Sequence, residues 1–165
     1  MNGWSFVALG TPGPQGSKAF KGMRGGHAIL VESSKKVKPW REAVKAACPA
    51  EPILDGPLSV VMVFTLHRPT SARKSEVAPF RTPDLSKLCR STEDAITDAG
   101  LWADDARVQR YERLAKVWSG YDEDALETPG VVVAACERGV NWPRFLHELL
   151  AGALYQHRKE FNALR

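Results

Sequence analysis

The segment Leu58–Leu66 constrains the fold more than any other part of this sequence. It reads LSVVMVFTL and lies between two turn signals, Gly56-Pro57 and Arg68-Pro69. β-Branched and aromatic residues are enriched in strands, and a short apolar run bounded by turns is typical of a buried strand. The segment therefore predicts a central strand.

Patterns elsewhere predict the elements around this strand. Leu85–Ala99 repeats apolar residues at three- and four-residue spacing, which indicates a helix, and Gly100 is well placed to end it. A short helix is expected around Trp40, Val44 and Ala47, and the glycine-rich stretch 22–26 is expected to be flexible. Further strands are predicted at residues 4–9, 28–32, 106–118 and 130–137. These elements indicate an α+β fold with a mixed β-sheet and two packed helices.

The C-terminal segment predicts one more helix. Asn141 is a candidate N-cap, and the apolar residues from Trp142 to Phe161 keep helical spacing. Such a stripe packs either on its own domain or against a partner subunit. The 165 residues are thus interpreted as one compact domain at 1–138, followed by an amphipathic helix at 139–165.

Composition and charge exclude several classes of protein. The net charge is +4 and apolar content is 44%, as in folded proteins that contact polyanions. No apolar run is long enough for a membrane span and no secretory signal is recognisable, so a cytoplasmic location is expected. The three cysteines are widely spaced, which argues against a zinc cluster.

Basic residues are concentrated in two stretches. The first fifty residues contain eight Lys or Arg against two Glu, and a second stretch spans positions 68–81. Such runs form either a solvated face or a surface that binds phosphates. The candidate DNA-binding residues in these stretches are Lys18, Lys21, Arg68, Arg73, Lys74 and Arg81.

Acidic residues are concentrated between Thr82 and Val108. This segment contains six carboxylates and only three basic side chains, although the chain as a whole is basic. Carboxylates bind hard divalent cations such as Mg²⁺, and neighbouring cations bind phosphate. The contrast predicts a metal site beside a polyanion, as in a metal-dependent DNA endonuclease.

Spacing selects the acids that can act together. Asp84 and Asp94 are about 15 Å apart along one helix, so they cannot share an ion. Asp84 and Asp105 can meet only if the intervening chain returns nearly straight; otherwise one of them comes from a neighbouring subunit. Asp84 is equally well explained as a helix N-cap, and Asp104 with Asp105 as a tight turn. Asp94 is expected to face solvent or to pair with Arg90.

At these residues the chain resembles the RusA family of Holliday-junction resolvases. The family pattern is Pro-Asp-Leu-Asp, an Asp-Ala-Leu-like helix, a Trp, then Asp-Asp and Val. The corresponding segments here are 83–88 (PDLSKL), 94–96 (DAI) and 102–108 (WADDARV), together with the loops 10–18 (GTPGPQGSK) and 68–71 (RPTS). Lys116, before Trp118, matches a basic residue that the family has late in the following strand, and it is a further candidate DNA-binding residue. The resemblance covers roughly residues 4–136. Because the family is common in bacteriophages, it implies a phage-borne gene and the cytoplasm of the bacterial host.

The resemblance implies an α+β fold, a homodimer and Mg²⁺-dependent cleavage of four-way DNA junctions, with Mn²⁺ as a substitute. It implies catalytic roles for Asp84, Asp105 and Arg90, and Lys87 and Arg90 would neutralise charge on the phosphate. The family's third acid is replaced by Ser86, a weaker metal ligand, and Asp104 is a candidate replacement.

The change at position 86 leaves a second interpretation open. A chain that lacks one acid is either a nuclease of reduced activity or a protein that binds junction DNA with weak or no cleavage. A third interpretation is a basic protein without catalysis, in which these aspartates form ordinary caps and turns.

Overall fold

The computed structural model describes residues 2–16, 18–32 and 35–165, and for residues 18–20 and 29–32 it describes the backbone alone. It contains a mixed sheet, a separate hairpin and helices on both sheet faces. The elements in chain order are β1 (Gly3–Leu9), β2 (Lys18–Arg24), β3 (His27–Glu32), α1 (Val37–Ala47), β4 (Leu58–Leu66), α2 (Leu85–Ala99), a 3₁₀ turn (Asp105–Arg107), β5 (Val108–Trp118), β6 (Gly130–Glu137) and α3 (Trp142–Ala163).

The sheet has the strand order β1-β6-β4-β5. β6 is antiparallel to β1 and to β4, whereas β4 and β5 are parallel and are joined through α2. Nearly every residue of β4 is buried, because the strand has a neighbour on each side and helices on each face. The predictions of a central strand and of a mixed α+β fold are confirmed.

α1 and α2 cover one face of the sheet. Trp40 of α1 and Leu88 and Ile96 of α2 are almost fully buried against the side chains of β1, β4 and β6. The indole Nε1 of Trp40 donates a 3.0 Å hydrogen bond to Thr92 Oγ1, which joins the two helices inside the core. Burying an aliphatic side chain stabilises the fold by about 1.5–3 kcal/mol, so this layer fixes the orientation of α2 firmly.

α3 covers the opposite face of the sheet. Leu146, Leu150 and Leu154 are buried against Val63 and Val132 and their neighbours. Gly3 lies at the contact between β1 and α3, where a Cβ atom would come within 2.7 Å of the Phe145 ring. The helix thus packs on the sheet of its own chain, while the division of the chain at residue 138 remains a prediction.

Local predictions differ from the structure at three points. The stretch 22–26, expected to be flexible, includes the end of β2 and a hairpin turn at Gly25 and Gly26, both with positive φ, 58° and 81°. The strand predicted at 106–118 begins at Val108, after the 3₁₀ turn. Asn141 occupies the N-cap of α3 with φ 67°, but its side chain makes no capping hydrogen bond.

Candidate functional site

Asp84 lies at the N-terminus of α2 with an exposed carboxylate. It occupies the N-cap position in an extended conformation, φ −68° and ψ 132°, yet its side chain makes no capping hydrogen bond. Its Oδ2 instead lies 3.2 Å from Lys87 Nζ, and both side chains are about half exposed, 53% and 51%. An exposed pair of this kind contributes little stability, so the carboxylate remains accessible to a ligand.

Contacts on both sides of Asp84 along the chain fix its position. Lys116 Nζ donates hydrogen bonds to the carbonyls of Arg81 (2.5 Å) and Pro83 (2.9 Å), which joins this segment to β5. The backbone N–H of Gln15 donates to the carbonyl of Lys87 at 2.9 Å, so the loop at 10–16 lies against the first turn of α2. The position of Asp84 is therefore set by residues from distant parts of the sequence.

Ser86 and Arg90 are exposed on the first turns of α2. In the described part of the chain, Arg90 makes no ion pair and no side-chain hydrogen bond, so its guanidinium is available to an anion. Ser86 is already helical, whereas Asp84 is extended. Their side chains are consequently not aligned as they would be on a single extended strand.

Asp104 and Asp105 differ in what their carboxylates do. Asp104 Oδ1 accepts a 2.7 Å hydrogen bond from the backbone N–H of Ala106 and thereby caps the 3₁₀ turn. Asp105 is exposed, and among the described residues its carboxylate has no hydrogen-bond or ion-pair partner. The turn interpretation thus fits Asp104, and Asp105 remains free to bind a ligand.

Within one protomer, Asp84 and Asp105 lie far apart. α2 has 15 residues, so its axis is about 22 Å long. Asp84 is next to the far half of β5 through the Lys116 contact, whereas Asp105 precedes the first residue of β5. The separation is on the order of 20 Å, while a Mg²⁺ ion holds its oxygen ligands at about 2.1 Å. The chain after α2 therefore does not run straight back to Asp84, as it would have to if both acids of one chain bound the same ion.

The chain between α2 and β5 is diverted by packing. Trp102 is buried, forms an isolated β-bridge with Leu54, and donates a 2.7 Å hydrogen bond from Nε1 to Thr97 Oγ1. In the residues that the structure describes, no group of three or more His, Cys, Asp or Glu side chains is arranged to hold a metal ion. By chemistry, the exposed carboxylates of Asp84 and Asp105 and the Ser86 hydroxyl are suitable Mg²⁺ ligands. Within this chain, Asp84 and Asp105 do not meet at one ion.

A partly buried hydrogen-bonded group beside Asp105 was not expected from the sequence. The Tyr111 hydroxyl donates a short hydrogen bond to Glu93 Oε1, and the Cys89 thiol donates to the Tyr111 oxygen at 3.2 Å. Burial raises the pKa of Glu93, the Tyr111 hydrogen bond opposes that shift, and the nearby Asp105 raises it further. Burial also raises the pKa of Cys89 to about 12, so this thiol is neutral. Only the four-residue spacing of Cys89 and Glu93 hinted at this group.

The predicted DNA-binding residues fall into two groups. Lys21, Arg73 and Lys74 are exposed, as is Arg81, whose guanidinium lies 3.6 Å from Glu76 Oε1. Arg68 is only partly exposed, and its guanidinium carbon lies 5.1 Å and 5.3 Å from the ring centroids of Trp118 and Tyr121. Lys116 binds backbone carbonyls, and the side chain of Lys18 lies outside the described residues.

Other ion pairs differ from the sequence expectation. Asp94 was expected to face solvent or to pair with Arg90, but its Oδ2 lies 3.4 Å from Arg41 Nη1 of α1. The same guanidinium lies 2.6 Å from Asp98. Asp94 therefore links α2 to α1 and takes no part in the site.

The geometry defines an α+β domain with one exposed carboxylate at the start of α2, another in the 3₁₀ turn that follows α2, and exposed cations around the first of them. Residues 10–127, more than half of the chain, match the model of the endodeoxyribonuclease RusA family. The chain therefore belongs to the RusA family of endodeoxyribonucleases, whose members resolve Holliday junctions. The comparison with curated proteins gives no significant match. Among the described residues, no helix is long and apolar enough to cross a membrane.

Proposed function

We propose that this protein is a divalent-metal-dependent endonuclease that cuts branched DNA as a homodimer. Asp84 of one protomer would share an ion with Asp105 of the partner subunit. The observation that supports this proposal most strongly is that both carboxylates are exposed, although α2 lies between them within one chain. Among the described residues Asp105 has no side-chain partner, and Asp84 has only the exposed ion pair with Lys87. A two-fold axis that brings the N-terminus of one α2 to the 3₁₀ turn of the other generates two equivalent sites. Two sites suit a four-way junction, which needs nicks on two opposed strands.

The chain's own residues have distinct tasks in this mechanism. Asp84, Asp105 and the Ser86 hydroxyl would hold Mg²⁺, or Mn²⁺ in its place. A bound divalent ion supplies a water of lowered pKa and offsets charge on the scissile phosphate. Lys87 and Arg90, both exposed next to Asp84, bind the phosphate oxygens and neutralise the charge that develops there. The exposed cations Lys21, Arg73, Lys74 and Arg81 contact the flanking backbone without reading its sequence.

Subunit complementation tests both the activity and the shared site. Asp84→Asn and Asp105→Asn are each expected to abolish nicking of a synthetic four-way junction in Mg²⁺. When the two inactive variants are mixed and allowed to exchange subunits, each heterodimer has one site with both acids intact. Random exchange restores about one quarter of the wild-type sites. Asp84→Asn mixed with itself is the control.

The outcomes separate the parts of the proposal. If the mixture stays inactive while each variant alone is inactive, the acids act within one chain and the shared site is refuted. Full nicking by either single variant would remove that acid from the mechanism. Absence of nicking by the wild-type protein, with junction binding retained, favours the second function described next.

The second candidate function is junction binding with weak or no cleavage. The serine at position 86 favours it, because a hydroxyl is a weaker Mg²⁺ ligand than a carboxylate and adds no negative charge. Ser86→Asp should be tolerated, since acids in the first turn of a helix interact favourably with its dipole. A large gain in nicking with unchanged junction affinity would show that the missing acid limits the enzyme. Ser75→Asp, an exposed loop position, is the control for added charge.

A further inference from the structure

A cavity of about 380 Å³ opens beside the N-terminus of α2. Its walls come from the loop at residues 11–14, the C-terminal end of β4, the segment 79–83 and the end of β5. Known small-molecule sites measure about 300–1,000 Å³, so this volume suits one nucleotide unit. β4 and β5 are parallel neighbours, and the region beyond the carboxyl ends of parallel strands is where ligands bind in open α/β sheets.

The lining of the cavity combines apolar surface with positive charge. Phe80 is 66% exposed at its edge, and Trp118 closes the inner wall. The cations at the rim are Lys36 and Arg81, and the described lining residues include no carboxylate. The Arg81 guanidinium carbon lies 5.0 Å from the Phe80 ring centroid, so the aromatic face and the charge adjoin. Planar aromatic groups attached to phosphates match this combination, because bases stack on aromatic rings while cations bind the backbone.

The wall of the cavity leads along the chain to the proposed catalytic residue Asp84. Thr82 and Pro83 line it, and Asp84 is the next residue along the chain. Lys116 holds the carbonyls of Arg81 and Pro83, so the wall and the carboxylate are fixed to the same strand. A base in this cavity would belong to a nucleotide within a step or two of the phosphate at Asp84.

We propose that this cavity binds an unpaired nucleobase of the branched DNA, next to the scissile phosphate. The proposal rests on the proposed function, because DNA must reach Asp84. Phe80 stacks on the base, Lys36 and Arg81 contact its phosphates, and the apolar walls exclude water from its faces. At a branch point the continuous stacking of the helix is interrupted, so a base there is unpaired and extruded at lower cost than within an uninterrupted duplex. The cavity would thereby distinguish branched from continuous DNA.

Fluorescence of 2-aminopurine tests the proposal directly. The full-length protein is added, without divalent metal, to a four-way junction labelled with 2-aminopurine at the branch, and to one labelled within an arm. Wild-type protein is expected to change the emission of the branch label and not of the arm label. Phe80→Ala should remove that change and weaken junction binding about tenfold, the effect of losing one stacked base. Thr11→Trp, at an exposed position on the wall, should fill the cavity and also remove the change.

Val77→Ala is the matched control. Val77 lies in the same loop, is 65% exposed and does not line the cavity. The Val77→Ala variant should bind the junction and change the emission of the branch label as the wild-type protein does. If Phe80→Ala and Val77→Ala behave alike, or if wild type binds the junction without a branch-specific change, the base-binding site is refuted while the nuclease proposal stands. If wild type shows neither junction binding nor nicking, both proposals fail together.

Discussion

Replacing Lys116 by methionine would remove the ammonium group that holds the chain in front of Asp84. In the structure this group donates to the carbonyls of Arg81 and Pro83, and the residue is only partly exposed. Methionine retains most of the apolar stem, so the change isolates the charged hydrogen bonds. A hydrogen bond from a charged donor contributes about 1.5–3 kcal/mol when buried. Two such bonds in a half-exposed setting should contribute about 2 kcal/mol together.

The loss should be measurable by unfolding and by activity. For a chain of this size, about 2 kcal/mol corresponds to a fall in Tm of roughly 4–8 °C. The midpoint of urea unfolding should fall while the m-value stays constant, because the surface exposed on unfolding does not change. Nicking should fall more than junction affinity, because Asp84 loses its position while the exposed cations remain. Lys116→Arg should restore part of both properties.

Lys74→Met provides the matched control, because Lys74 is exposed. It should leave Tm nearly unchanged and reduce the salt dependence of junction binding by about one counterion. The reasoning would be refuted if Lys116→Met showed that same pattern, with an unaltered Tm and a weaker salt dependence. Lys116 would then be a DNA contact, as the sequence alone predicted, and the hydrogen bonds would be unimportant.

Two further predictions concern stability. Burial raises the pKa of Glu93, so the folded state favours the protonated carboxyl. The contribution of this group to the free energy of unfolding is therefore present at low pH and is lost as the pH rises through the folded-state pKa. Glu93→Gln should therefore raise Tm relative to wild type at neutral pH and not below about pH 4; a lower Tm at pH 7 would contradict the assigned cause. Leu154→Ala should cost about 2–5 kcal/mol in urea unfolding, because this α3 side chain is buried against the sheet. Leu164→Ala, at a position 88% exposed, is the control and should change stability by less than about 0.5 kcal/mol. If Leu154→Ala and Leu164→Ala had equal effects, α3 would not stabilise the domain.

The main elements of the fold could be predicted because their signals are local. The apolar run of β4 and the periodicity of α2 depend only on nearby residues, and Gly100 ends α2 with φ 75°, a conformation that favours glycine. β2 was missed because Lys18–Arg24 lacks the alternation of a half-buried strand. The adjacent Gly25-Gly26 pair, a known hairpin signal, could have indicated it.

The site was less predictable because its geometry depends on tertiary contacts. The Asp84 carboxylate makes no capping hydrogen bond and instead pairs with Lys87, which the pattern of Asp at an N-cap position could not predict. The course of the chain towards Asp105 is set by Trp102 and its bridge to Leu54, residues 48 positions apart. Arg41, from the preceding helix, takes Asp94 as its partner, and no rule of helix spacing relates the two. The resemblance to the family pointed to Asp84 and Asp105, and the fold shows that α2 lies between them within one chain.

The length of α2 between Asp84 and Asp105 has a consequence for how such an enzyme behaves in a cell. Under the proposed shared site, a solitary chain would possess only half of each cutting centre, so at low abundance its output would rise with the square of its concentration. Newly made copies would be harmless to intact chromosomes until enough of them had accumulated to associate. Dilution alone would then inactivate the enzyme by dissociating its subunits, without an inhibitor or degradation.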